Sequence, residues 1–277
     1  MKQILVPCDF SKEATEAYKF ALELATRAGL EVKVVYTIDL PVMTAGFDVQ
    51  PYTFAPELQN ELKEIAHRNF NSLKANHAGS TAVTFEVIFD SITRAVRTLV
   101  EKGNIEMVLM GTKGSSGFDE MMFGSNTEKV VRFSTVPVLA VKTAPKVSSI
   151  RNIVFPNRLT LDQSELVKRV IDLQKFFNAH LRVLWVNTPT QFLPDAEING
   201  MMKDFAHHYK LENYSLEVVN DVEQGAGILN YAHKVEGDMI AMGTSSRRGL
   251  AHLLLGSVAE DVVNHVHCPI WTFSTRK

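Results

Sequence analysis

The sequence predicts an α/β protein made of two tandem, open, five-stranded parallel sheets, each flanked by helices. Two observations predict this fold. Short, nearly continuous apolar runs alternate with amphipathic segments, and such alternation is typical of buried parallel strands joined by helices. The chain also repeats itself, so the alternating pattern occurs twice.

Each element of the first copy has its own sequence signal. Ser11 is a candidate N-cap for the first helix, because apolar residues recur at helical spacing behind it, and Gly29 is its stop. Short apolar runs predict the strands, and the longer periodic segments predict the other helices. We expect strands at 4–7, 32–38, 84–89, 107–110 and 136–141, and further helices at 56–76, 91–102 and 124–133.

The internal repeat is visible at both ends of the copies. The segment that begins at Gly243 aligns with the one that begins at Gly111, and the segment from Arg151 aligns with the one from Lys2. A short polar stretch of linker type, 143–149, lies between the copies. We therefore expect a first domain at 1–145 and a second at 148–277. The loop at 43–60 has no full counterpart in the second copy.

The last strand of each copy, 136–141 and 268–273, is apolar and would lie at a sheet edge. An exposed apolar edge favours pairing with another strand. We expect the two edges to pair with each other, which makes the chain an internal pseudo-dimer. Further association into a homodimer stays open.

Composition excludes several classes of protein. The net charge is −2 and no block of like charges occurs, which argues against a nucleic-acid or acidic-membrane partner. No apolar run reaches the roughly 20 residues of a membrane span, and the start, MKQILVPCDF, turns polar too early for a signal peptide. The two cysteines, Cys8 and Cys268, have no metal-ligand spacing. We expect a cytoplasmic, reduced protein.

The segment 111–126, GTKGSSGFDEMMFGSN, directly follows a predicted strand and leads into a helix. Ligands of open parallel sheets bind beyond the carboxyl ends of the strands, and a helix N-terminus with glycines before it suits phosphate. An ordinary strand-to-loop turn with a serine cap explains the same residues. The phosphate-binding patterns GxxxxGK[ST] and GxGxxG are absent. The residues alone leave both interpretations open.

Three motifs carry a resemblance to a known family. Gly111, Gly114, Gly124 and Ser125 fit G-x2-G-x9-G-[ST], VPCDFS stands near the start, and STVPVLAVK follows the last helix of the copy. Together they resemble the universal stress protein family, in its tandem form, with the Rossmann-like fold of the adenine-nucleotide α-hydrolase type. Members of that family resemble the arrangement expected here, because they dimerise through their last strand.

The resemblance implies a ligand and a site. In the ATP-binding branch of the family, the spaced glycines and the serine hold ribose and phosphates, and the aspartate after the first strand holds the ribose. ATP, with or without Mg²⁺, is the implied cofactor. Carried over to this sequence, the implied site consists of Pro7, Asp9, Thr37, Ile38, Met110, Gly111, Lys113, Gly114, Gly124, Ser125 and Asn126.

The second copy departs from this pattern. Arg158 stands where the first copy has Asp9, and Ser246 stands where it has Gly114. The first change replaces a ribose acceptor by a cation, and the second adds a Cβ where the backbone should approach phosphate. We expect the second site to be degenerate.

No set of residues indicates a dedicated catalyst or a metal site. Asp119 and Glu120 lie in a segment of loop character, Glu128 suits a solvent-facing helix position, and Asp90 with Ser91 is typical of a helix cap. His265, His267 and Cys268 are close in sequence but do not share one face of a strand.

The function that the sequence favours is a stress-response sensor or adaptor that binds an adenine nucleotide in its first domain and contacts protein clients. In this hypothesis, nucleotide changes the loop at 43–60. The alternatives are a tandem scaffold without nucleotide and a weak ATPase.

Overall fold

The computed structural model describes residues 1–39, 56–77, 79–112, 125–244 and 268–274. Most of the loop at 43–60 lies outside this part of the chain, as do His265 and His267. Among the described residues, no helix has both the length and the apolar character that crossing a membrane requires.

The first half contains five strands and four helices within the described residues. They are β1 (Gln3–Pro7), α1 (Lys12–Ala28), β2 (Glu31–Thr37), α2 (Pro56–Asn76), β3 (Val83–Ile88), α3 (Ile92–Glu101), β4 (Ile105–Gly111), α4 (Ser125–Phe133) and β5 (Val138–Val141). Each element lies within two residues of its predicted bounds.

The second half repeats this order after a 3₁₀ turn at Val147–Ser149. Its described elements are β6 (Asn152–Pro156), α5 (Ser164–Phe177), β7 (His180–Asn187), α6 (Asp195–His208), β8 (Tyr214–Asn220), α7 (Gln224–Lys234), β9 (Met239–Thr244) and β10 (Ile270–Ser274), with a short 3₁₀ turn at Pro189–Gln191 between β7 and α6.

The predicted signals of α1 act as expected. The Ser11 hydroxyl oxygen accepts a hydrogen bond from the Ala14 amide at 3.2 Å, which satisfies one of the free N–H groups of the first turn. Gly29 adopts φ 66° at the C-cap, a left-handed conformation that glycine reaches without a Cβ clash. Helix α1 therefore has a fixed beginning directly after β1.

The strands of both halves form one ten-stranded sheet in the order β3-β2-β1-β4-β5-β10-β9-β6-β7-β8. Within the described residues, all strand pairings are parallel except that of β5 with β10, which is antiparallel and matches Leu139 with Trp271. The Thr272 hydroxyl also donates to the Val138 carbonyl at 3.3 Å. The predicted pairing of the last strands is confirmed, and it merges the two expected sheets into one.

Helix α1 also holds the segment that joins the halves. Glu16 accepts a hydrogen bond from the Ala144 amide at 3.0 Å, and Glu23 accepts one from the Val147 amide at 2.9 Å. The hydrogen bond from Lys19 lowers the pKa of Glu16, and the Ala144 amide adds to this effect. Seven residues separate the two glutamates, so they share one face of the helix. We propose the division into domains 1–145 and 148–277 on either side of this anchored segment.

The duplication extends to individual ion pairs. Lys33 on β2 lies 2.6 Å from Glu86 on β3, and Arg182 on β7 lies 3.6 Å from Glu217 on β8. In both halves, the residue paired with the cation across the strands lies two positions before the glutamate. The second half is therefore a structural copy of the first, down to side-chain positions on its outer strands.

Candidate functional site

The candidate site lies where the strand order of the first half reverses. Strand β1 pairs with β2 on one side and with β4 on the other, and all three are parallel. Their carboxyl ends therefore meet at one edge of the sheet, and the crevice between β1 and β4 is the usual ligand position in such sheets. Pro7 ends β1, and Met110 and Gly111 end β4; all three are buried.

Asp9 lies in the turn between β1 and α1. Its Oδ1 accepts a hydrogen bond from the Ser11 amide at 3.0 Å, so the carboxylate shapes the turn that begins α1. The side chain is half-buried. An ionised carboxylate has about four acceptor positions, so it can accept more than one hydrogen bond.

Phe10 fixes the same turn by packing. It adopts φ 63°, a left-handed conformation that is unusual for a bulky residue. Its ring lies 5.3 Å from that of Tyr36 and 6.3 Å from that of Phe85. Leu159, the matching residue of the second half, is buried at φ 59°. The left-handed residue is therefore a property of the turn in both halves, and no residue type in the sequence signals it.

Gly111 has a packing role that the sequence did not reveal. A Cβ at this position would lie 2.6 Å from the Glu13 carbonyl carbon and 2.8 Å from the Ala14 amide nitrogen. These are backbone atoms of the first turn of α1, so they could make room only if the helix itself moved. The glycine thus allows close contact between β4 and α1, and this packing role does not depend on ligand binding.

Thr127 connects β4 to the helix that follows the glycine segment. It is buried, and its hydroxyl donates to the Gly111 carbonyl at 2.8 Å. Because Thr127 lies in the first turn of α4, this hydrogen bond holds the N-terminus of α4 at the end of β4. Asn126 is exposed beside it. Thr127 was not among the predicted site residues; its only signal is its place two residues after Ser125.

The end of β2 contributes the remaining described residues. Thr37 and Ile38 are half-buried, and the Ile38 amide donates to the Ile88 carbonyl at 2.9 Å. Since β2 neighbours β1, both residues lie at the same edge as Asp9. The structure thus brings together seven predicted residues, which are Pro7, Asp9, Thr37, Ile38, Met110, Gly111 and Asn126. Lys113, Gly114 and Gly124, and the side chain of Ser125, lie outside the described residues.

In the second half, side chains of the turn after β6 hydrogen-bond to one another. Gln163 exchanges hydrogen bonds with Asn157 at 3.0 and 3.1 Å, and it donates to the Thr160 hydroxyl at 2.8 Å. Arg158, which replaces Asp9, is exposed. Gly243, at the end of β9, leaves room for Leu166, whose Cδ2 would lie 2.4 Å from an added Cβ. The glycine that ends the fourth strand therefore packs against the first helix in both halves.

The candidate acids for catalysis have structural partners. Asp90 Oδ1 accepts from the Ser91 amide at 2.7 Å and lies 3.3 Å from Arg94. Glu128 pairs with Arg132 at 3.2 Å. Asp119 and Glu120 lie outside the described residues. Within the part of the chain that the structure describes, no group of three or more His, Cys, Asp and Glu side chains could hold a metal ion.

A groove of about 720 Å³ occurs elsewhere. It lies between the second half of α1, the chain around Gly79 and the segment at Val147, and Arg27 and His77 are among its lining residues. The first turn of α1 lies at the candidate site, so this groove is near the opposite edge of the sheet. It does not belong to the candidate site.

Cys8 follows β1 and is buried. Burial raises the pKa of its thiol to about 12. At pH 8 the thiol is therefore protonated, whereas the thiolate is the reactive form. This environment indicates a buried apolar role and not a redox-sensitive thiol.

We expect Cys8 to react slowly with a thiol reagent at pH 8 in the native protein and quickly in urea, where its pKa returns to about 8.5. The Cys268→Ser variant, followed by absorbance with a disulfide reagent, reports on Cys8 alone. Equal native and urea rates would contradict the burial of this thiol.

The geometry defines a class of protein: a duplicated, doubly wound α/β chain whose first half keeps an aspartate turn and a helix N-terminus at the switch of strand order. The chain belongs to the universal stress protein family, because the family's sequence model matches residues 1–142 and 149–274. Two matched segments make it a tandem member.

Relatives match either the whole chain or one half. The universal stress protein Slr1230 of Synechocystis is 22% identical over 293 residues, which span 99% of this chain and 100% of that protein. The universal stress protein MJ0577 of Methanocaldococcus jannaschii is 29% identical over 153 residues, which span 51% of this chain and 94% of that protein.

Solved structures share the whole fold. A universal stress protein from Archaeoglobus fulgidus superposes with a TM-score of 0.70 at 19% identity, covering 98% of this chain and 96% of its own. A putative universal stress protein from Pseudomonas aeruginosa gives a TM-score of 0.63 at 15% identity, covering 99% and 93%. At these identities the likeness shows the fold.

Proposed function

We propose that the first half binds ATP or another adenine nucleotide at the carboxyl ends of β1 and β4. The observation that carries the proposal is the hydrogen bond from Thr127 to the Gly111 carbonyl, 2.8 Å long. It holds the N-terminus of α4 at the end of β4, where free N–H groups and the helix dipole favour a phosphate.

Asp9 would recognise the ribose of the nucleotide, in addition to the phosphate contacts at α4. Its carboxylate lies at the end of β1, the strand next to β4. A carboxylate there can accept hydrogen bonds from ribose hydroxyls while the phosphates extend towards α4. The packing of Phe10 against Tyr36 holds the turn before a ligand arrives, which lowers the ordering cost of binding.

The second half does not support the same ligand. Arg158 offers no acceptor for a ribose, and Asn157, Thr160 and Gln163 satisfy one another. Displacing that network would leave polar groups without partners. We therefore assign one nucleotide to each chain.

The proposed role is that of a stress-response sensor or adaptor, as the family membership suggests. The described residues give no reason to assign a dedicated catalytic group, and we assign no residue to Mg²⁺. Protein clients would then bind differently to the nucleotide-bound and the nucleotide-free first half.

The test is a calorimetric titration of ATP into the wild type and the Asp9→Asn variant. Asparagine keeps an oxygen for the Ser11 amide, so the turn survives while the charge is lost. A hydrogen bond to a charged group contributes about 1.5–3 kcal/mol. We expect the variant to bind ATP about tenfold more weakly or worse.

Arg158→Ala is the matched control, because Arg158 occupies the same turn of the second half. It should bind ATP like the wild type. Wild-type protein that takes up no adenine nucleotide would overturn the proposal and favour the scaffold alternative. Equal affinities of wild type and Asp9→Asn would remove Asp9 from the site.

A further inference from the structure

Three apolar side chains project into solvent at the carboxyl edge of the second half. They are Leu161, Phe192 and Val222, with exposed fractions of 47%, 68% and 76%. Apart from Met1, no large apolar side chain among the described residues is more exposed than these three. We call them the second-half apolar patch.

The fold places the three residues in loops at the same end of neighbouring strands. They lie in the loops that follow β6, β7 and β8, which are parallel neighbours in the sheet. The loops after β7 and β8 are joined by a hydrogen bond from Gln224 Nε2 to Gln191 Oε1 at 2.8 Å. Neighbouring strands lie about 4.8 Å apart, so the ends of the three strands together span about 10 Å, close to the diameter of an α-helix.

Local hydrogen bonds hold each loop in place. Asn157 and Gln163 fix the first loop. Asn187 fixes the second, because its side chain accepts from the Leu193 amide at 3.0 Å and donates to the Leu193 carbonyl at 3.2 Å. Asp221 fixes the third by accepting from the Val222 amide and from Asn230. The apolar side chains are therefore presented on a preorganised support.

Two of the three positions are not apolar in the first half. Asp90 and Asp221 make the same hydrogen bond to the next amide, at 2.7 Å in both cases, but the next residue is Ser91 in the first half and Val222 in the second. Leu161 likewise takes the place of Lys12 in the aligned turn. At these two positions the second half thus has exposed apolar residues where the first half has a lysine and a serine.

In the described loops that carry the patch, the charges are mostly negative. In the described segments at 157–163, 188–197 and 221–224, which include the first residues of α6 and α7, the one cation is Arg158. The exposed acids there are Asp162, Asp195, Glu197 and Glu223. An acidic rim around an apolar centre attracts a segment that combines apolar and basic side chains, and it repels nucleic acid.

We propose that the second-half apolar patch docks a basic amphipathic helix of a partner protein. The apolar face of such a helix covers Leu161, Phe192 and Val222, and its lysines or arginines meet the acidic rim. The small area makes this a weak, transient contact. The inference does not rest on nucleotide binding by the first half.

The test uses a fluorescent synthetic peptide of about 15 residues, made of leucine and lysine with leucines at helical spacing. We expect saturable binding to the wild type in an anisotropy titration. The triple variant Leu161→Ser, Phe192→Ser, Val222→Ser should bind at least about tenfold more weakly, since truncating central apolar contacts costs more than 1 kcal/mol each at hot spots.

Three controls make the result specific. The variant Leu58→Ser, Ile65→Ser removes exposed apolar groups of the first half and should bind like the wild type. A scrambled leucine–lysine peptide and a leucine–glutamate peptide of the same pattern should each bind at least about tenfold more weakly. Equal binding of all three peptides, or by wild type and triple variant, would overturn the proposal.

Two other occupants give different results, and each contradicts the proposal. A dimer in sedimentation that the triple variant abolishes would mean that a second copy covers the patch. A lower melting temperature of the triple variant, without any peptide binding by the wild type, would mean that the chain's own segment 245–267 covers it.

Discussion

Replacing Trp271 by alanine is expected to lower the free energy of unfolding by about 3–5 kcal/mol. Trp271 is 1% exposed, faces Leu139 across the β5–β10 pairing and lies 6.2 Å from the Phe273 ring. The variant loses apolar burial and leaves a cavity where the two halves meet. Urea denaturation followed by far-UV circular dichroism measures the change.

Phe192→Ala is the control for this prediction. Phe192 is 68% exposed, so its truncation should change stability by no more than about 0.5 kcal/mol. If Trp271→Ala were as stable as Phe192→Ala, the antiparallel junction would not be a part of the core, and the halves would have to be held together elsewhere.

Gly111→Ala should destabilise the protein by about 1–3 kcal/mol, because overpacking forces backbone to move. The added methyl would come within 2.6–2.8 Å of backbone atoms in Glu13 and Ala14. Helix α1 would have to shift away from β4, and the turn that contains Asp9 lies at its start. Thermal and urea unfolding both measure the loss.

Gly200→Ala is the matched control. Gly200 lies inside α6, and an added Cβ would meet nothing within 4 Å. Alanine is the better helix residue, so this variant should gain about 0.5–1 kcal/mol. If Gly111→Ala left the free energy of unfolding unchanged, Gly111 would not be a packing position. Ligand binding would then be the remaining reason for a glycine there.

Local signals predicted most of the fold. Helix α2 begins and ends at its predicted residues, and Ser11 and Gly29 cap α1, because caps and apolar periodicity act over a few residues. Strand β5 starts two residues later than predicted. Ser134 explains the difference, because its hydroxyl donates to the Val136 carbonyl and accepts from the Val136 amide, which makes a turn there.

The candidate site was harder to predict, because its support comes from distant parts of the chain. The need for glycine at position 111 depends on where α1 crosses β4, and the role of Thr127 depends on a carbonyl 16 residues earlier. The left-handed Phe10 has no sequence signal, since bulky residues rarely adopt that conformation. The residue types therefore predicted at which edge of the sheet the site lies, whereas the contacts that support the site depend on the tertiary structure.

A crystal structure of the protein grown with excess ATP tests the central claim most directly. The account predicts one nucleotide in the first half, with ribose hydroxyls at Asp9 and phosphates at the N-terminus of α4, and an empty turn at Arg158 in the second half. An empty first half, or a nucleotide bound in the second half instead, would contradict it.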